Sequence, residues 1–150
     1  MLPEHKDLFY KLQKDAQLSV LLFLEARGEP VDGQIGVGSM VRNRVNEKHI
    51  PENSYFLVMT DEKQFSCFNT NDKNYTIGMN MVKELVEGHS PEDLTGMFKQ
   101  CFWISGGIVN GALLDNTKGA VNYYNPKLCN PVWAYKMVKT CKLGNHVFLK

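Results

Sequence analysis

The feature that most constrains this chain is a short stretch, residues 21–30, which reads LLFLEARGEP. Four apolar residues precede Glu25, and Gly28 and Pro30 follow it within five positions. Glycine is typical of the position that ends a helix, and proline fits the first turn of one. The stretch therefore predicts that an apolar helix, residues 16–26, ends at Gly28 as its left-handed cap. A second helix, residues 30–49, is predicted to begin at Pro30.

Glu25 falls in the last turn of the predicted helix, where the helix dipole disfavours an anion by roughly 0.3–1 kcal/mol. Packing against the apolar run would favour its protonated form, because burial penalises the charged form. Cleavage of a glycosidic bond needs a protonated carboxyl, since a proton must reach the leaving oxygen. Glu25 is therefore a candidate general acid, and the alternative is a surface glutamate near a helix end.

Patterns along the chain separate helices from strands. Helices are predicted over residues 2–14, 16–26, 30–49, 75–87 and 90–109, with an irregular segment at 50–74. The last third favours a strand at 120–124, a short helix near 132–139, and a hairpin of 139–143 and 146–149 around Gly144-Asn145. Helices followed by a small antiparallel sheet predict an α+β fold with a cleft between the helical body and the sheet.

The helix at 30–49 carries small residues in its middle and arginines near its end. Gly36 and Gly38 weaken a helix by up to about 1 kcal/mol each, so they predict close approach of another element. Arg42 and Arg44 lie on different faces, so one of them could reach inward.

Composition is that of an ordinary globular chain: 150 residues, 43% hydrophobic, 22% charged, with a net charge of +1. It predicts a single catalytic domain over residues 1–150, without nucleic-acid binding or membrane insertion. Lysines 136, 139, 142 and 150 make the C-terminal end locally basic, which charge patterning alone attributes to a solvated face. No signal-peptide pattern opens the chain, so we expect it to stay in a cytoplasm unless another protein moves it. Four cysteines and four histidines without ligand spacing predict free thiols, no metal and no cofactor.

Glu29 is the obvious companion of Glu25, four residues on. On one continuous helix the two carboxylates would share a face. The predicted break between them removes that argument. Glu29 is therefore either a supporting residue of a site or a first-turn residue favoured by the dipole of the next helix.

Three further segments are candidates for contacts with a substrate. Gln64, Phe65 and Ser66 lie in the irregular segment, and such loops on a rigid scaffold often bind ligands. Tyr123, Tyr124 and Asn125 offer aromatic faces and an amide, which suit a sugar. His146 on the hairpin offers a hydrogen bond in the cleft, although a lone histidine is more often structural.

Three blocks of the sequence resemble the cell wall hydrolases of the spore cortex-lytic (SleB/CwlJ) type. They are LEARGEPVDGQIGVGSMVRNRV at 24–45, QFSCFN at 64–69, and KGAVNYYNP at 118–126, closed by GNHVF at 144–148. The blocks follow the order of that family and span nearly the whole chain. The first is specific, and the other two gain weight from their order. The glycines and Ser39 depart from the alanine- and valine-rich helix that is usual there.

The resemblance implies a lysozyme-like α+β fold and action on peptidoglycan glycan strands, between N-acetylmuramic acid and N-acetylglucosamine. It implies a lytic transglycosylase, in which a single carboxyl protonates the leaving oxygen and then takes the proton from the muramic 6-hydroxyl. Glu25 matches the catalytic glutamate of the family. Without a signal peptide or wall-binding domain, the chain resembles a phage endolysin. Such a protein is held in the host cytoplasm until a holin releases it at lysis, and we expect a monomer. A segment trimmed from a longer protein is equally compatible with the sequence.

Other activities stay open on the sequence alone. A hydrolytic muramidase would cleave the same bond with water. An amidase or peptidase acting on the stem peptide would need metal ligands or a Cys/His pair, for which Cys67 and His146 are the candidates. A non-catalytic peptidoglycan-binding module or phage structural domain would retain only the fold.

Overall fold

The computed structural model describes residues 1–48, 54–62 and 64–150. Six α-helices come first: α1 Pro3–Tyr10, α2 Lys14–Ala26, α3 Val31–Lys48, α4 Ser54–Thr60, α5 Tyr75–Val86 and α6 Gly96–Val109. Three strands follow: β1 Asn122–Tyr124, β2 Lys139–Leu143 and β3 His146–Leu149. Short 3₁₀ turns lie at Ser66–Phe68, Pro91–Asp93 and Val132–Lys136. The predicted α+β plan, helices first and sheet last, is confirmed.

Helix α2 is the centre of the helical body. Nine of its residues are buried, including Leu18, Val20, Leu21 and Leu22 with no exposed surface. A helix that is apolar on nearly all sides must be enclosed by others, and α3, α4, α5 and α6 all pack against it. Its buried amide at Gln17 donates to the carbonyl of Phe9, 3.0 Å away, so this polar group is satisfied. Glu25 is thereby fixed at the end of the most enclosed helix.

The sheet has the order β1-β3-β2, with both pairs antiparallel. Tyr123 pairs with Phe148 in β3, and Phe148 and Leu149 are fully buried. The predicted hairpin around Gly144-Asn145 is confirmed, with Gly144 in the left-handed conformation at φ 57°. A bulge between Lys139 and Cys141 interrupts the β2–β3 register.

Helix α3 joins the helical body to the sheet through its glycines. A Cβ on Gly36 would lie 2.7 Å from Phe148 Cζ and 2.9 Å from Leu143 Cδ1, closer than side chains pack. A Cβ on Gly38 would meet the Ile108 side chain of α6. The small residues of α3 therefore allow the close approach that the sequence predicted. Both arginines reach inward: Arg42 donates to the carbonyls of Ile108 and Leu113, and Arg44 turns toward the sheet.

The end of α2 differs from the prediction. Gly28 does not take the left-handed conformation, and the helix ends at Arg27 with ordinary helical angles. Arg27 Nη1 donates to the carbonyls of Phe23 and Leu24, so a side chain satisfies the last carbonyls and no glycine cap is needed. Gly88, just after the predicted helix end at residue 87, does take the left-handed conformation, with φ 95°.

Other boundaries also moved. Helix α2 begins at Lys14, two residues before the predicted start, and Gln13 precedes it. Ser90 caps a separate 3₁₀ turn, and Thr95 caps α6, so the helix predicted over 90–109 is two elements. Ile77, an apolar residue that helical spacing places toward the core, is 45% exposed. The irregular segment contains helix α4, and its first residues, with the predicted helix end at His49, lie outside the described residues. Within the described part, no helix is both long and apolar enough to cross a membrane.

Candidate active site

Glu25 lies between the helical body and the sheet, half-buried in the last turn of α2. Tyr123 Oη on β1 donates a 2.8 Å hydrogen bond to Glu25 Oε2. The backbone N–H of Cys67 donates a longer one, 3.4 Å, to Oε1. The helix, the 3₁₀ turn and the sheet therefore all meet at this carboxylate.

A cleft of about 520 Å³ opens in front of Glu25. It is lined by Glu25, Arg44, Gln64, Phe65, Ser66, Asn122, Tyr123, Trp133 and Met137. Among the described residues that line it, Glu25 is the only carboxylate. The cleft is of the size that binds a small ligand, and it combines aromatic faces with a few polar groups.

Arg44 of α3 connects the two walls of the cleft. Its Nη1 donates to Gln64 Oε1 at 2.9 Å, its Nη2 to Asn122 Oδ1 at 2.7 Å, and its Nε to the Val121 carbonyl. Its guanidinium lies over the Phe65 ring, 5.5 Å from the ring centre. Burial lowers the pKa of Arg44 from its ordinary value, opposed by Tyr123, Asp61 and Glu47, and an arginine stays charged in any protein environment. The cleft thus holds one rigid positive charge.

Tyr123 is an enclosed hydrogen-bond donor. Burial, then the charge and hydrogen bond of Glu25, raise the pKa of Tyr123 well above its ordinary value. Its ring packs on His146, with centres 4.6 Å apart, and on Phe148 at 5.8 Å. The phenol therefore stays protonated and fixed in place beside the carboxylate.

His146 lies behind Tyr123 and does not line the cleft. It is 6% exposed, and its Nδ1 has no hydrogen-bond partner among the described residues. Burial lowers the pKa of His146, against the opposing charges of Glu29 and Glu25. The neutral ring supports Tyr123 by packing.

Glu29 holds the hairpin onto the helices. Its Oε2 accepts the backbone N–H of Asn145 at 2.8 Å, and its Oε1 accepts Asn145 Nδ2 at 3.1 Å. Both oxygens are thus engaged by one turn residue, outside the lining of the cleft. The geometry gives Glu29 a positioning contact with the sheet, and direct substrate contact by Glu29 stays a prediction.

The structure brings five of the nine predicted site residues into one cleft: Glu25, Gln64, Phe65, Ser66 and Tyr123. Tyr124, the next residue on the strand, faces a second cavity, because neighbouring residues on a strand point to opposite faces. Asn125 forms a turn in which its Oδ1 accepts the N–H of Lys127. Substrate binding by Tyr124, Asn125 and His146 also stays a prediction.

Sequence reasoning missed three lining residues, and it left open which of Arg42 and Arg44 reaches inward. Asn122, Trp133 and Met137 come from the strand and the segment after it, where no local pattern marks the face that meets the cleft. Trp133 is 43% exposed, and an exposed tryptophan near a predicted aromatic strand was the available signal.

The Cys67 thiol is unsuited to nucleophilic chemistry. Burial, followed by the nearby charge of Glu25, raises the pKa of Cys67, whereas reactive cysteines have a lowered pKa. All four cysteines are free thiols. In the described part of the chain, no cluster of three or more His, Cys, Asp or Glu side chains could hold a metal ion.

Known proteins are similar to this chain in sequence and in fold. The chain is 25% identical over 139 residues to two sequences of the spore cortex-lytic enzyme of Bacillus cereus. The match covers 92% of this chain and 45% of each relative, so the chain spans about half the length of the curated relatives it matches.

Two solved structures are similar to the fold. The catalytic domain of the Bacillus cereus SleB protein has a TM-score of 0.64 at 24% identity, covering 93% of this chain and 91% of that one. The catalytic domain of the germination-specific lytic transglycosylase SleB from Bacillus anthracis has a TM-score of 0.62 at 22% identity, covering 93% and 96%. These likenesses confirm the lysozyme-like α+β fold.

The Cell Wall Hydrolase family model matches residues 28–149, beginning three residues after Glu25 and including Arg44, Tyr123 and the hairpin. The match spans more than half of the chain. This chain belongs to the Cell Wall Hydrolase family.

Proposed function

We propose that the chain cleaves the glycan strands of peptidoglycan between N-acetylmuramic acid and N-acetylglucosamine, as a lytic transglycosylase. The observation that carries the proposal is Glu25, the only carboxylate among the described residues lining the cleft, at the junction of helices and sheet. Family membership supports the substrate, and the Bacillus anthracis relative is itself named a lytic transglycosylase.

One carboxyl can perform both proton transfers of this reaction. Protonated Glu25 donates its proton to the glycosidic oxygen as the bond to the muramic C1 breaks. The muramic 6-hydroxyl then attacks C1, and its proton passes to the Glu25 carboxylate as the 1,6-anhydro ring closes. The donated proton stays on the leaving sugar, the proton of the 6-hydroxyl restores protonated Glu25, and water takes no part in the reaction.

The surrounding residues orient the acid and the sugar. Tyr123 Oη and the Cys67 N–H hold the two carboxylate oxygens, so the carboxyl has a fixed direction. Trp133 and Phe65 offer apolar ring faces along the cleft. Arg44 supplies donors fixed by Gln64 and Asn122, which we expect to orient the acetamido and hydroxyl oxygens of the substrate.

A hydrolytic muramidase is the second candidate within the same cleft. An inverting or retaining hydrolase ordinarily uses two carboxyl groups about 5–10 Å apart. Glu29 does not fill that role, since Asn145 engages both of its oxygens. The absence of another carboxylate from the described lining therefore favours the one-acid reaction.

The proposal is tested by digesting purified peptidoglycan with the wild type and with Glu25→Gln, and separating the products by mass. We expect anhydro-muramic ends from the wild type and a loss of at least about 100-fold in the variant. Glu92→Gln, at an exposed glutamate, is the matched control and should retain full activity. Full activity in Glu25→Gln would refute the assignment of the acid. Reducing muramic ends would favour the muramidase, and binding without cleavage a non-catalytic module.

The biological setting proposed is lysis of a host cell by a phage enzyme. Release through a holin, residence in the host cytoplasm until then and a monomeric state stay predictions of the sequence. An antibody to the chain, used on fractions of infected cells before and after holin opening, would test the first two.

A further inference from the structure

A second cavity, of about 450 Å³, lies beside the proposed active-site cleft. Tyr124, Tyr135 and Lys139 are among its lining residues, and Met137 lines both the cavity and the cleft. The two sites are therefore neighbours that share a wall, the segment that carries Trp133 toward the cleft and Tyr135 toward the cavity. Trp133 and Tyr124 meet edge to face across that wall, with ring centres 6.2 Å apart.

The charge of the chain is divided between its two parts. Residues 116–150, which contain the whole sheet, have six lysines and neither aspartate nor glutamate. Residues 1–115 contain all 16 acidic side chains and only 11 basic ones. A net charge of +1 thus conceals a cationic sheet region joined to an acidic helical body. A surface of one sign raises the local concentration of ligands of the other sign.

We propose that the second cavity binds the stem peptide of peptidoglycan through the peptide's carboxylates, while the glycan occupies the cleft. This rests on the proposed function for the position of the glycan. The amino sugars of the strand are neutral where the muramic lactyl group is joined to a peptide, so the negative charge of the substrate lies on the peptide. Lys139 places a positive charge in the cavity, and Tyr124 and Tyr135 supply ring surface for the apolar side chains of that peptide.

A stem peptide is short, so it can reach only a site that lies close to the cleft. A stem peptide begins at the lactyl group of the muramic sugar that Glu25 would act on. Four extended residues span at most about 14 Å. Met137 borders both sites, so the peptide would pass over the segment that carries Trp133 and Met137 to reach the cavity.

The first experiment measures binding of the free stem tetrapeptide to the full chain by nuclear magnetic resonance. We expect chemical-shift changes at the amides of Tyr135 and Lys139, and a dissociation constant about 5–10-fold higher for Lys139→Gln than for the wild type. Lys142→Gln makes the same charge change on the same strand, away from the cavity, and should stay within about twofold of the wild type. No shifts at the cavity, or equal weakening in both variants, would overturn the proposal. So would the same shifts produced by peptide-free glycan chains.

The second experiment compares turnover of intact peptidoglycan with turnover of strands whose stem peptides an amidase has removed. We expect Lys139→Gln to raise KM only on the peptide-bearing strands. The wild type should bind walls stripped of teichoic acid as tightly as untreated walls. Weaker binding to the stripped walls would indicate that the lysines of residues 116–150 bind phosphate instead. A wild type that binds the tetrapeptide but cleaves neither substrate would refute the proposed function and leave this inference standing. A wild type that cleaves both kinds of strand but does not bind the tetrapeptide would refute this inference and leave the proposed function standing.

Discussion

Glu25 is the only polar side chain in the last seven residues of α2. The other six residues of that stretch are all buried. Its two oxygens are held by donors from residues 67 and 123, so long-range contacts fix its direction. An acid that must donate one proton and then accept another needs such a fixed direction, because proton transfer requires hydrogen-bond distances in both steps. Tyr123 makes the shorter of the two contacts and is therefore the residue to change.

Replacing Tyr123 by phenylalanine should reduce kcat by about 10–100-fold while leaving the fold intact. The variant keeps the ring contacts with His146 and Phe148 and loses only the hydrogen bond to Glu25. Initial rates on purified peptidoglycan measure kcat of both proteins.

The ratio of wild-type to Tyr123→Phe activity also has an expected pH dependence. Burial and Glu25 raise the pKa of Tyr123, so the phenol remains a donor up to at least about pH 9. The ratio of wild-type to Tyr123→Phe activity should therefore stay constant from about pH 7 to about pH 9. Tyr124→Phe, the same change on the opposite face of β1, is the control and should show the wild-type pH dependence of kcat over this range. A ratio that collapses toward one at alkaline pH would contradict the role given to the phenol.

At the scale of elements, two kinds of contact hold the sheet against the helices. One is polar, from Glu29 at the α2–α3 junction to Asn145 in the hairpin turn. The other is apolar, from Phe148 and Leu143 onto the bare backbone at Gly36. Because the cleft lies between these two parts, its width depends on both contacts.

Gly36→Ala should destabilise the protein by about 1–3 kcal/mol, although alanine is the better helix former. The added Cβ has no room beside Phe148 and Leu143. Gly106→Ala in α6 is the matched control, since nothing lies within 4 Å of its Cβ position. There alanine should stabilise by about 0.5–1 kcal/mol. Urea unfolding of both variants measures the difference, and two changes of the same sign would argue against the close packing of α3 on the sheet.

Local signals predicted those elements whose ends are set by nearby residues. The hairpin at Gly144-Asn145 and the stop at Gly88 are examples, since both need a left-handed glycine. Gly28 was mispredicted because a side chain, Arg27, took over the cap, and nothing in the spacing distinguishes the two solutions. Trp133 and Met137 reach the cleft through a segment that follows the first strand, and their placement depends on contacts across the fold. Glu25 was found because a polar residue interrupts an apolar helix.

For the molecule as a whole, the dominant electrostatic feature is the division between an acidic helical body and a sheet region whose formal charges are all positive. Glu25 and Arg44 lie at the boundary between these regions, at the end of α2 and on the sheet-facing side of α3. A polyanionic wall should therefore attract the chain with its sheet side first. Attraction of this kind acts over several ångströms and weakens with salt.

We expect the rate of association with purified walls to fall at least about 10-fold between about 0.1 and 1 M salt, as the Debye length shortens from about 10 to 3 Å. Turnover of short glycan fragments whose carboxyl groups are blocked as amides should change little over the same range, because they carry no charge for the sheet region to attract. The double variant Lys142→Gln/Lys150→Gln should reduce the salt dependence, since it removes charge from the sheet region. Lys14→Gln/Lys83→Gln removes the same charge from the helical body and should retain the wild-type salt dependence. If both double variants lost salt dependence equally, net charge alone would govern association, and the division of charge would have no directing effect.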